Sequence, residues 1–174
     1  MEKHKKRTGT SQVTTEIVDL FKSENNNSST HAFHFNTEDI NQFCDFTEKI
    51  EILVKKSSVK HGSITIFTPH TTTAVLINES ETGYINDFKK KLEDLVPSDA
   101  YYEHDDWDLR TENMQEDENV NGRSHVRGTI IGSSGVTLPI INSELIIGRW
   151  QRLFFVELDC ARSRRLFVQT QDLN

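Results

Sequence analysis

Three of the seven histidines lie where an apolar or β-branched segment begins or ends. His70 follows a proline in TPHTTTAVLINES, His104 lies in YYEHDDWD and His125 lies in NGRSHVRG. Junctions between strands and loops are common positions for functional groups. Three neutral imidazoles could bind a transition metal, with nearby carboxylates to orient them. Their separations are too wide to form a motif, so three unrelated surface histidines are the competing interpretation.

The charged side chains offer two further kinds of chemistry. The acidic segment 103–118 could hold Mg²⁺, although a solvated acidic loop explains the same residues. Arginine forks match phosphate geometry, and arginines are frequent after residue 126, where most are expected to balance surface charge. The sequence contains no Gly-rich phosphate loop, nucleophile elbow or CxxC pair. The other histidines are expected to be structural or solvated: His4, His31, His34 and His61.

The composition indicates a globular domain with polar additions. The chain has 174 residues, 34% of them hydrophobic, and a net charge of −7. An acidic balance argues against nucleic-acid binding, and no apolar stretch has the length of a membrane span or the position of a secretory signal. Cys44 and Cys160 share no metal-type spacing and are expected to be reduced. We therefore expect a cytoplasmic protein without membrane contacts that could also enter the nucleus by diffusion.

The elements that must position these residues follow from hydrophobic periodicity. Residues 1–12 are basic and are expected to form a disordered tail, followed by a single domain over 13–174. A helix capped at Asn36 or Thr37 is predicted to run to about residue 56, and a second helix is predicted over 81–96. Strands are predicted at 11–21, 31–35, 61–69 and 71–79.

The second half of the chain is predicted to be mostly strands. Residues 101–123 show no period and indicate a long surface loop, and such loops are often functional. From His125 onward, VRGTIIG, GVTLPII, ELIIGRWQRLFFVELD and RRLFVQTQ read as strands, with a hairpin turn at Asn142 and Ser143. Two helices among roughly seven or eight strands predict an α+β domain with a mostly antiparallel sheet or sandwich.

Four segments together resemble the YjbQ-like family, whose members are also known as secondary thiamine-phosphate synthases. They are TPHTTTAVLINE, YYEHDD, NGRSHVRGTIIGSSGVTLPI and ELIIGRWQRLFFVELDCARSRRLFVQ, and the resemblance covers about residues 13–171. It implies an α+β fold built on a mostly antiparallel β-sandwich with two main helices. It also implies a homotrimer with polar clefts near the subunit contacts.

The resemblance further implies a shared polar pocket. His70, His104 and His125 become the expected catalytic residues and the expected ligands of a divalent metal, zinc or magnesium. Arg127 and Arg149 each lie in one of the four segments and are expected to bind phosphate. The other positions that match the family's polar residues are Asn78, Glu79, Asn121, Trp150 and Gln151.

Arg123 departs from the family pattern. Many relatives carry a histidine or an acid two residues before the histidine that matches His125. An arginine at this position would weaken a cation site and favour an anion site. The departure therefore bears on the identity of the metal more than on the fold.

Three functions are compatible with these residues. The resemblance favours a thiamine-phosphate synthase, which joins a hydroxymethylpyrimidine diphosphate to a thiazole phosphate and must neutralise the departing pyrophosphate. The histidine trio suits zinc better than magnesium, which favours a metal-dependent hydrolase of a small metabolite. The third function is a trimeric protein that binds a metabolite without catalysis. Each implies a small-molecule ligand, and the first implies a phosphorylated one.

Overall fold

The computed structural model describes residues 9–24, 27–116 and 118–173. Within these residues it contains two β-sheets, three α-helices and one short 3₁₀ helix, Glu103–Asp105. The helices are α1 (Thr47–Lys56), α2 (Thr82–Leu95) and α3 (Gly122–Ile131). The strands are β1 (Thr15–Lys22), β2 (Ser28–Asn36), β3 (Gln42–Asp45), β4 (His61–Phe67), β5 (Thr73–Glu79), β6 (Gly135–Ile141), β7 (Glu144–Leu145), β8 (Gln151–Glu157) and β9 (Ser163–Asp172).

The named strand pairs are all antiparallel. Six strands form one sheet in the order β1-β2-β9-β4-β6-β7, and three form a second in the order β3-β8-β5. This arrangement confirms the α+β class and the mostly antiparallel sandwich that the sequence predicts.

The smaller sheet is buried on both faces. Along β8, Leu153 and Phe155 point into the core shared with α1 and the large sheet. Phe154 and Val156 point the other way, into a second core that α2 covers. Because successive residues of a strand face opposite sides, a strand packed between two cores has apolar residues at successive positions. The layers are therefore large sheet, small sheet and helix.

Two predicted elements are wrong, and the single strand predicted for ELIIGRWQRLFFVELD is divided into β7 and β8 by residues 146–150. The first helix begins at Thr47 and not near residue 36, because Asn41 takes a positive φ of 54° and the next residues pair with β8 as β3. The segment VRGTIIG, predicted as a strand, belongs to helix α3. The loop predicted over 101–123 likewise contains the 3₁₀ helix and the first turn of α3.

Other local predictions are confirmed. Asn142 and Ser143 have positive φ values of 54° and 62°, as a two-residue hairpin turn of the primed type requires. The second helix ends one residue before Val96, close to the predicted boundary. Residues 1–8 of the predicted tail lie outside the described residues, whereas Ser11 forms an isolated β-bridge with Cys44. No helix in the described part of the chain combines the length and apolar character of a membrane span.

Candidate functional site

A cavity of about 940 Å³ opens where four connecting segments meet. Its walls come from the residues before β5, the acidic loop, the start of α3 and the connection between β8 and β9. His70, His104 and His125 all line it. The structure thus brings together the three histidines that are 34 and 21 positions apart in the sequence.

Helix α3 is held in place by residues distant in sequence. The Asp105 carboxylate accepts hydrogen bonds from the backbone N–H groups of Asn121 and Gly122 at 2.9 and 2.8 Å, which satisfies donors at the helix N-terminus. The Ser124 hydroxyl donates to the Leu158 carbonyl at 2.7 Å. A Cβ on Gly128 would lie 2.9 Å from the Thr71 carbonyl oxygen, so only glycine allows this helix to pack so closely beside β5.

These contacts place His125 next to His104. The two ring centroids are 4.5 Å apart at an interplanar angle of 53°. Burial, followed by the charge of His104, lowers the pKa of His125, while Asp159 and Glu118 oppose that shift. His125 is consequently favoured in its neutral form near pH 7, in which one ring nitrogen can accept a proton and the other can donate one.

His70 has a defined tautomer. Its Nε2 accepts a hydrogen bond from the Arg165 backbone N–H at 3.0 Å. Burial, followed by the charges of Arg164 and Arg165, lowers the pKa of His70 to about 4. A neutral ring whose Nε2 is an acceptor carries its proton on Nδ1. His70 can therefore offer an N–H donor to a ligand but not its Nε2 lone pair.

Arg110 organises the acidic loop. Its guanidinium donates to the His104 carbonyl at 3.2 Å, the Glu118 carboxylate at 2.8 Å, and the carbonyls of Glu112 and Asn113 at 3.2 and 2.9 Å. Its Nη1 also lies 3.2 Å from His104 Nε2. One side chain thus ties the loop that forms a wall of the cavity to a histidine of the site. Sequence reasoning gave Arg110 no role.

Two further arginines line the cavity near the connection between β8 and β9. Arg164 forms a two-bond pair with Glu157, with both distances 2.6 Å and both side chains buried. Arg162 Nη2 lies 2.9 Å from Asp159 Oδ2, although the angle is not that of a hydrogen bond. Nε and Nη2 of Arg162 are buried and form no hydrogen bond with an acceptor among the described residues.

The cavity lining carries both signs of charge. Arg162 and Arg164 reach it from the connection between β8 and β9 and the start of β9, where Asp159 and Glu157 pair with them, and His70 reaches it from the segment before β5. Glu103, Glu112 and Glu118 reach it from the acidic loop, where Arg110 pairs with Glu118. Among the described residues no lysine or arginine forms an ion pair with Glu103 or Glu112. Glu103 and Glu112 are thus lining carboxylates without an ion-pair partner among the described residues, whereas Glu118, Arg162 and Arg164 are each paired.

The histidine trio does not form a ready metal site. In the described ranges, no three His, Cys, Asp or Glu side chains are grouped closely enough to hold an ion. His70 Nε2 is occupied by a backbone N–H, and His104 Nε2 lies 3.2 Å from a guanidinium nitrogen. Zinc or magnesium could therefore bind to these rings only after His70 and His104 gave up their present contacts.

Several other predicted site residues lie elsewhere. Arg127 is fully buried, where it donates to the Val96 carbonyl at 2.6 and 3.1 Å and pairs with Glu93 at 2.5 Å. It joins α3 to the end of α2 and does not line the cavity. Its buried ion pair explains why an arginine occurs in the middle of this helix.

A second group lies at the far end of the small sheet. Asn78 and Glu79 end β5 and pair with Arg152 and Gln151 on β8. Because a strand rises about 3.3 Å per residue, they lie roughly 20 Å along β5 from its His70 end. Arg149 stacks over Trp150, with 4.9 Å from its guanidinium carbon to the ring centroid, also at that far end.

Unlike these residues, Asn121 does line the cavity, and its amide nitrogen lies 3.2 Å from Asp159.

The arginine–acid pairs could have been found from one feature of the sequence. Glu157 and Asp159 follow the apolar run of β8, and Arg162 and Arg164 follow within seven residues. Charged side chains that continue an apolar strand are buried only when paired. Their register, however, depends on the crossing of β8 and β9 between two different sheets.

The fold and cavity define an α+β protein of two packed antiparallel sheets with a polar, charged cavity at one end. The chain belongs to the UPF0047 protein YjbQ-like family, whose sequence profile matches residues 31–172. It is 35% identical over 127 residues to a UPF0047 protein of Methanothermobacter thermautotrophicus, covering 73% of this chain and 80% of that protein. A UPF0047 protein of Archaeoglobus fulgidus is 35% identical over 128 residues, 74% of this chain and 90% of that protein.

Solved structures show the same fold. A YbjQ-like protein of unknown function from Sulfolobus solfataricus P2 superposes with a TM-score of 0.67 at 27% identity, over 82% of this chain and 97% of that one. A hypothetical protein from Aeropyrum pernix K1 gives a TM-score of 0.66 at 26% identity, over 81% of this chain and 98% of that one. The family resemblance of the four sequence segments is thereby confirmed.

Proposed function

We propose that the cavity binds a small metabolite with a phosphate at one end and a positively charged ring at the other, and that the chain is a thiamine-phosphate synthase. Thiamine phosphate has this charge pattern, since its thiazolium ring is a cation and its side chain carries a phosphate. The observation that carries the proposal is the mixed lining of the cavity, with arginines from the β8–β9 region and carboxylates from the acidic loop.

The donors of Arg162 and His70 suit the phosphate end. Arg162 lines the cavity with a side chain that is 35% exposed, so the exposed part of its guanidinium can meet a phosphate although Nε and Nη2 are buried, and His70 offers its Nδ1–H. Charge-assisted hydrogen bonds from a guanidinium to a phosphate are stronger than neutral ones. A neutral imidazole donor adds a bond without the cost of burying a second charge.

The carboxylates of Glu103, Glu112 and Glu118 suit the cationic end. In the proposed reaction the thiazole nitrogen forms a C–N bond to the pyrimidine methylene carbon. The bond from that carbon to the diphosphate oxygen breaks, and pyrophosphate leaves with the electron pair. Positive charge develops on the pyrimidine-methyl group and ends on the thiazolium ring, so carboxylates fixed beside it stabilise the transition state.

His104 and His125 suit the departing pyrophosphate. The neutral form of His125 can donate a ring N–H to an oxygen whose negative charge increases as the bond breaks. No step in this scheme depends on a metal ion. Binding of zinc or magnesium is a separate proposal that elemental analysis of the purified protein tests.

We also propose that the protein is a homotrimer, as the family resemblance implies. Asn78, Glu79, Arg149 and Gln151 lie too far from the cavity to share it within one chain, so their proposed substrate contacts require a neighbouring copy. Light scattering after size exclusion should give a mass of about three chains. Mixing the weakened Glu79→Gln and Arg162→Gln variants should give more activity than either variant alone only if one copy completes the site of another.

The activity is tested by supplying hydroxymethylpyrimidine diphosphate and thiazole phosphate and measuring thiamine phosphate as its fluorescent thiochrome product. Parallel reactions contain Mg²⁺ or a chelator. The key variant is Arg162→Gln. Its matched control is Arg152→Gln, because Arg152 pairs with Asp45 and Glu48 away from the cavity.

Formation of thiamine phosphate by the wild type and the control, with KM for thiazole phosphate raised roughly tenfold or more in Arg162→Gln, would support the proposal. If the folded wild type binds thiamine phosphate but forms no product, the protein binds this ligand without catalysing the proposed reaction. Equal activity in Arg162→Gln would contradict the assigned phosphate end.

A further inference from the structure

A second group of reactive side chains lies on the large sheet, outside the cavity. His31 Nδ1 is 2.6 Å from Asp19 Oδ1, and His31 Nε2 is 3.0 Å from Ser29 Oγ. Each ring nitrogen thus faces the partner that it has in a serine–histidine–aspartate triad, a constellation defined by geometry and not by chain order. We propose that Ser29 is a nucleophile activated by His31 and Asp19, and that it is acylated by small activated esters.

The hydrogen-bond pattern fixes the roles of the three residues. A carboxylate accepts only, so His31 donates its Nδ1–H to Asp19 and, when neutral, leaves Nε2 as an acceptor. Nε2 then takes the Ser29 hydroxyl proton as the base. The Thr170 hydroxyl lies 2.8 Å from Ser29 Oγ and can donate to it, which completes a chain from Thr170 to Asp19.

The sheet positions these groups rigidly. Ser29 and His31 are two residues apart on β2 and therefore share a face, and Asp19 is the register partner of His31 on β1. Ser29 is 9% exposed, whereas the side chains of His31 and Asp19 are 17% and 80% exposed. The serine is nearly buried, and an ester would have to approach it from the surface that His31 and Asp19 occupy.

Lys22 provides positive charge beside the serine. It is the register partner of Ser29 on β1, so the two side chains start on the same face about 5 Å apart at Cβ. Lys22 forms no ion pair with a carboxylate of the described residues. Lys22 can therefore stabilise the oxyanion that forms when Ser29 attacks a carbonyl.

The proposed reaction conserves atoms and charge. Ser29 Oγ forms a bond to the ester carbonyl carbon, and its proton passes to His31 Nε2. The bond from that carbon to the alcohol oxygen breaks, and the leaving alcohol takes the proton from His31. Water then attacks the acyl-serine by the same route and releases the acid.

This centre is distinct from the cavity. Ser29 lies six residues along β2 from Phe35, the register partner of the cavity residue Arg164, and six residues of strand span about 20 Å. Substitutions at His70 or Arg162 should leave it unchanged. A negative result for Ser29 would leave the proposed synthase activity unaffected, and a negative result for the synthase would leave the proposal for Ser29 unaffected.

The test uses the full chain with a small fluorophosphonate probe and with p-nitrophenyl acetate, followed by intact mass and peptide mapping. The expected result is one adduct, located on Ser29 and absent from Ser29→Ala. His31→Ala should slow labelling roughly 100-fold or more, the contribution typical of a general base. The matched control is His34→Ala, since His34 lies on the same strand with its side chain on the opposite face.

Asp19→Asn keeps the proposal testable if Ser29→Ala fails to fold, because it changes an exposed side chain. It should slow labelling while the thermal midpoint stays close to that of the wild type. Labelling of Ser29 that falls in His31→Ala and Asp19→Asn but not in His34→Ala supports the triad. Absence of an adduct, an adduct on another residue, or an unchanged rate in His31→Ala overturns it.

Discussion

The protonation of His70 determines what the cavity can offer a ligand, and it predicts a pH dependence of stability. The folded-state pKa of His70 is about 4, against about 6.5 for a histidine in an unfolded chain. As the pH falls below about 6.5, the unfolded chain therefore binds the proton first. The stability contributed by neutral His70 is fully present above that pH and is lost as the pH falls toward about 4.

The magnitude follows from the size of the shift. Each unit of pKa difference corresponds to about 1.4 kcal/mol, so the full shift sets an upper limit of roughly 3 kcal/mol. The ring is partly exposed, and solvent screening reduces this to about 1–2 kcal/mol in total, or about 1 kcal/mol at pH 5. The assay is urea unfolding of the wild type and His70→Gln near neutral pH and near pH 5. Glutamine can still accept the Arg165 N–H but does not titrate.

Between those two conditions the wild type should lose about 1 kcal/mol more of its unfolding free energy than the variant. Nitrogen-15 NMR of the imidazole should show Nε2 as the unprotonated nitrogen, with a titration midpoint near 4. A proton on Nε2, a midpoint close to the value of an exposed histidine, or the same pH dependence in both proteins would refute the reasoning.

Three further predictions concern the groups that support the cavity. Arg164→Leu should lower the unfolding free energy by roughly 3–5 kcal/mol because it leaves Glu157 buried and unpaired. Adding Glu157→Leu should restore part of that free energy. Urea unfolding measures the single and the double variant, and an equal loss in the two would contradict the pairing. Arg110→Ala should accelerate amide hydrogen exchange over 106–116, since this side chain ties the loop together, and unchanged exchange would show that other contacts order it. Asp105→Ala should destabilise the protein by about 1 kcal/mol through the lost cap of α3, measured by thermal unfolding, whereas an unchanged midpoint would show that solvent replaces the cap.

Much of the sheet could be predicted because its determinants are local. Alternating residues in β4 and β9 and the Asn142–Ser143 turn each depend on a few neighbouring residues. Helix α2 follows from its apolar spacing, with Ile85 and Leu92 buried, although Leu95 at its end is 69% exposed. These elements needed no knowledge of the rest of the fold.

The wrong predictions lie where contacts between residues distant in sequence determine the secondary structure. The β-branched run after Gly128 favours a strand by local preference, but Asp105 caps the helix and Gly128 allows its approach to Thr71. In residues 36–46, helical spacing of Ile40, Phe43 and Phe46 was misleading, because pairing with β8 buries Phe43 as part of a sheet. Neither contact is visible in a local window.

The candidate site was predictable in part for the same reason. Placing His70, His104 and His125 at segment junctions anticipated that all three line one cavity. No local pattern indicates that Arg127 is buried against Val96 or that Arg110 holds the acidic loop. Arginines have similar surroundings in the sequence whether they bind a ligand or a buried carboxylate.

The central claim is that the cavity binds the phosphate of a cationic metabolite through Arg162. Calorimetry tests it most directly, by measuring the affinities of thiamine phosphate and of thiamine for the wild type and for Arg162→Gln. The two ligands share the thiazolium cation and differ only in the phosphate. The account predicts that thiamine phosphate binds the wild type roughly tenfold or more tightly than thiamine, and that Arg162→Gln removes most of this difference. Equal affinity for both ligands, or a preference that survives in Arg162→Gln, would contradict it.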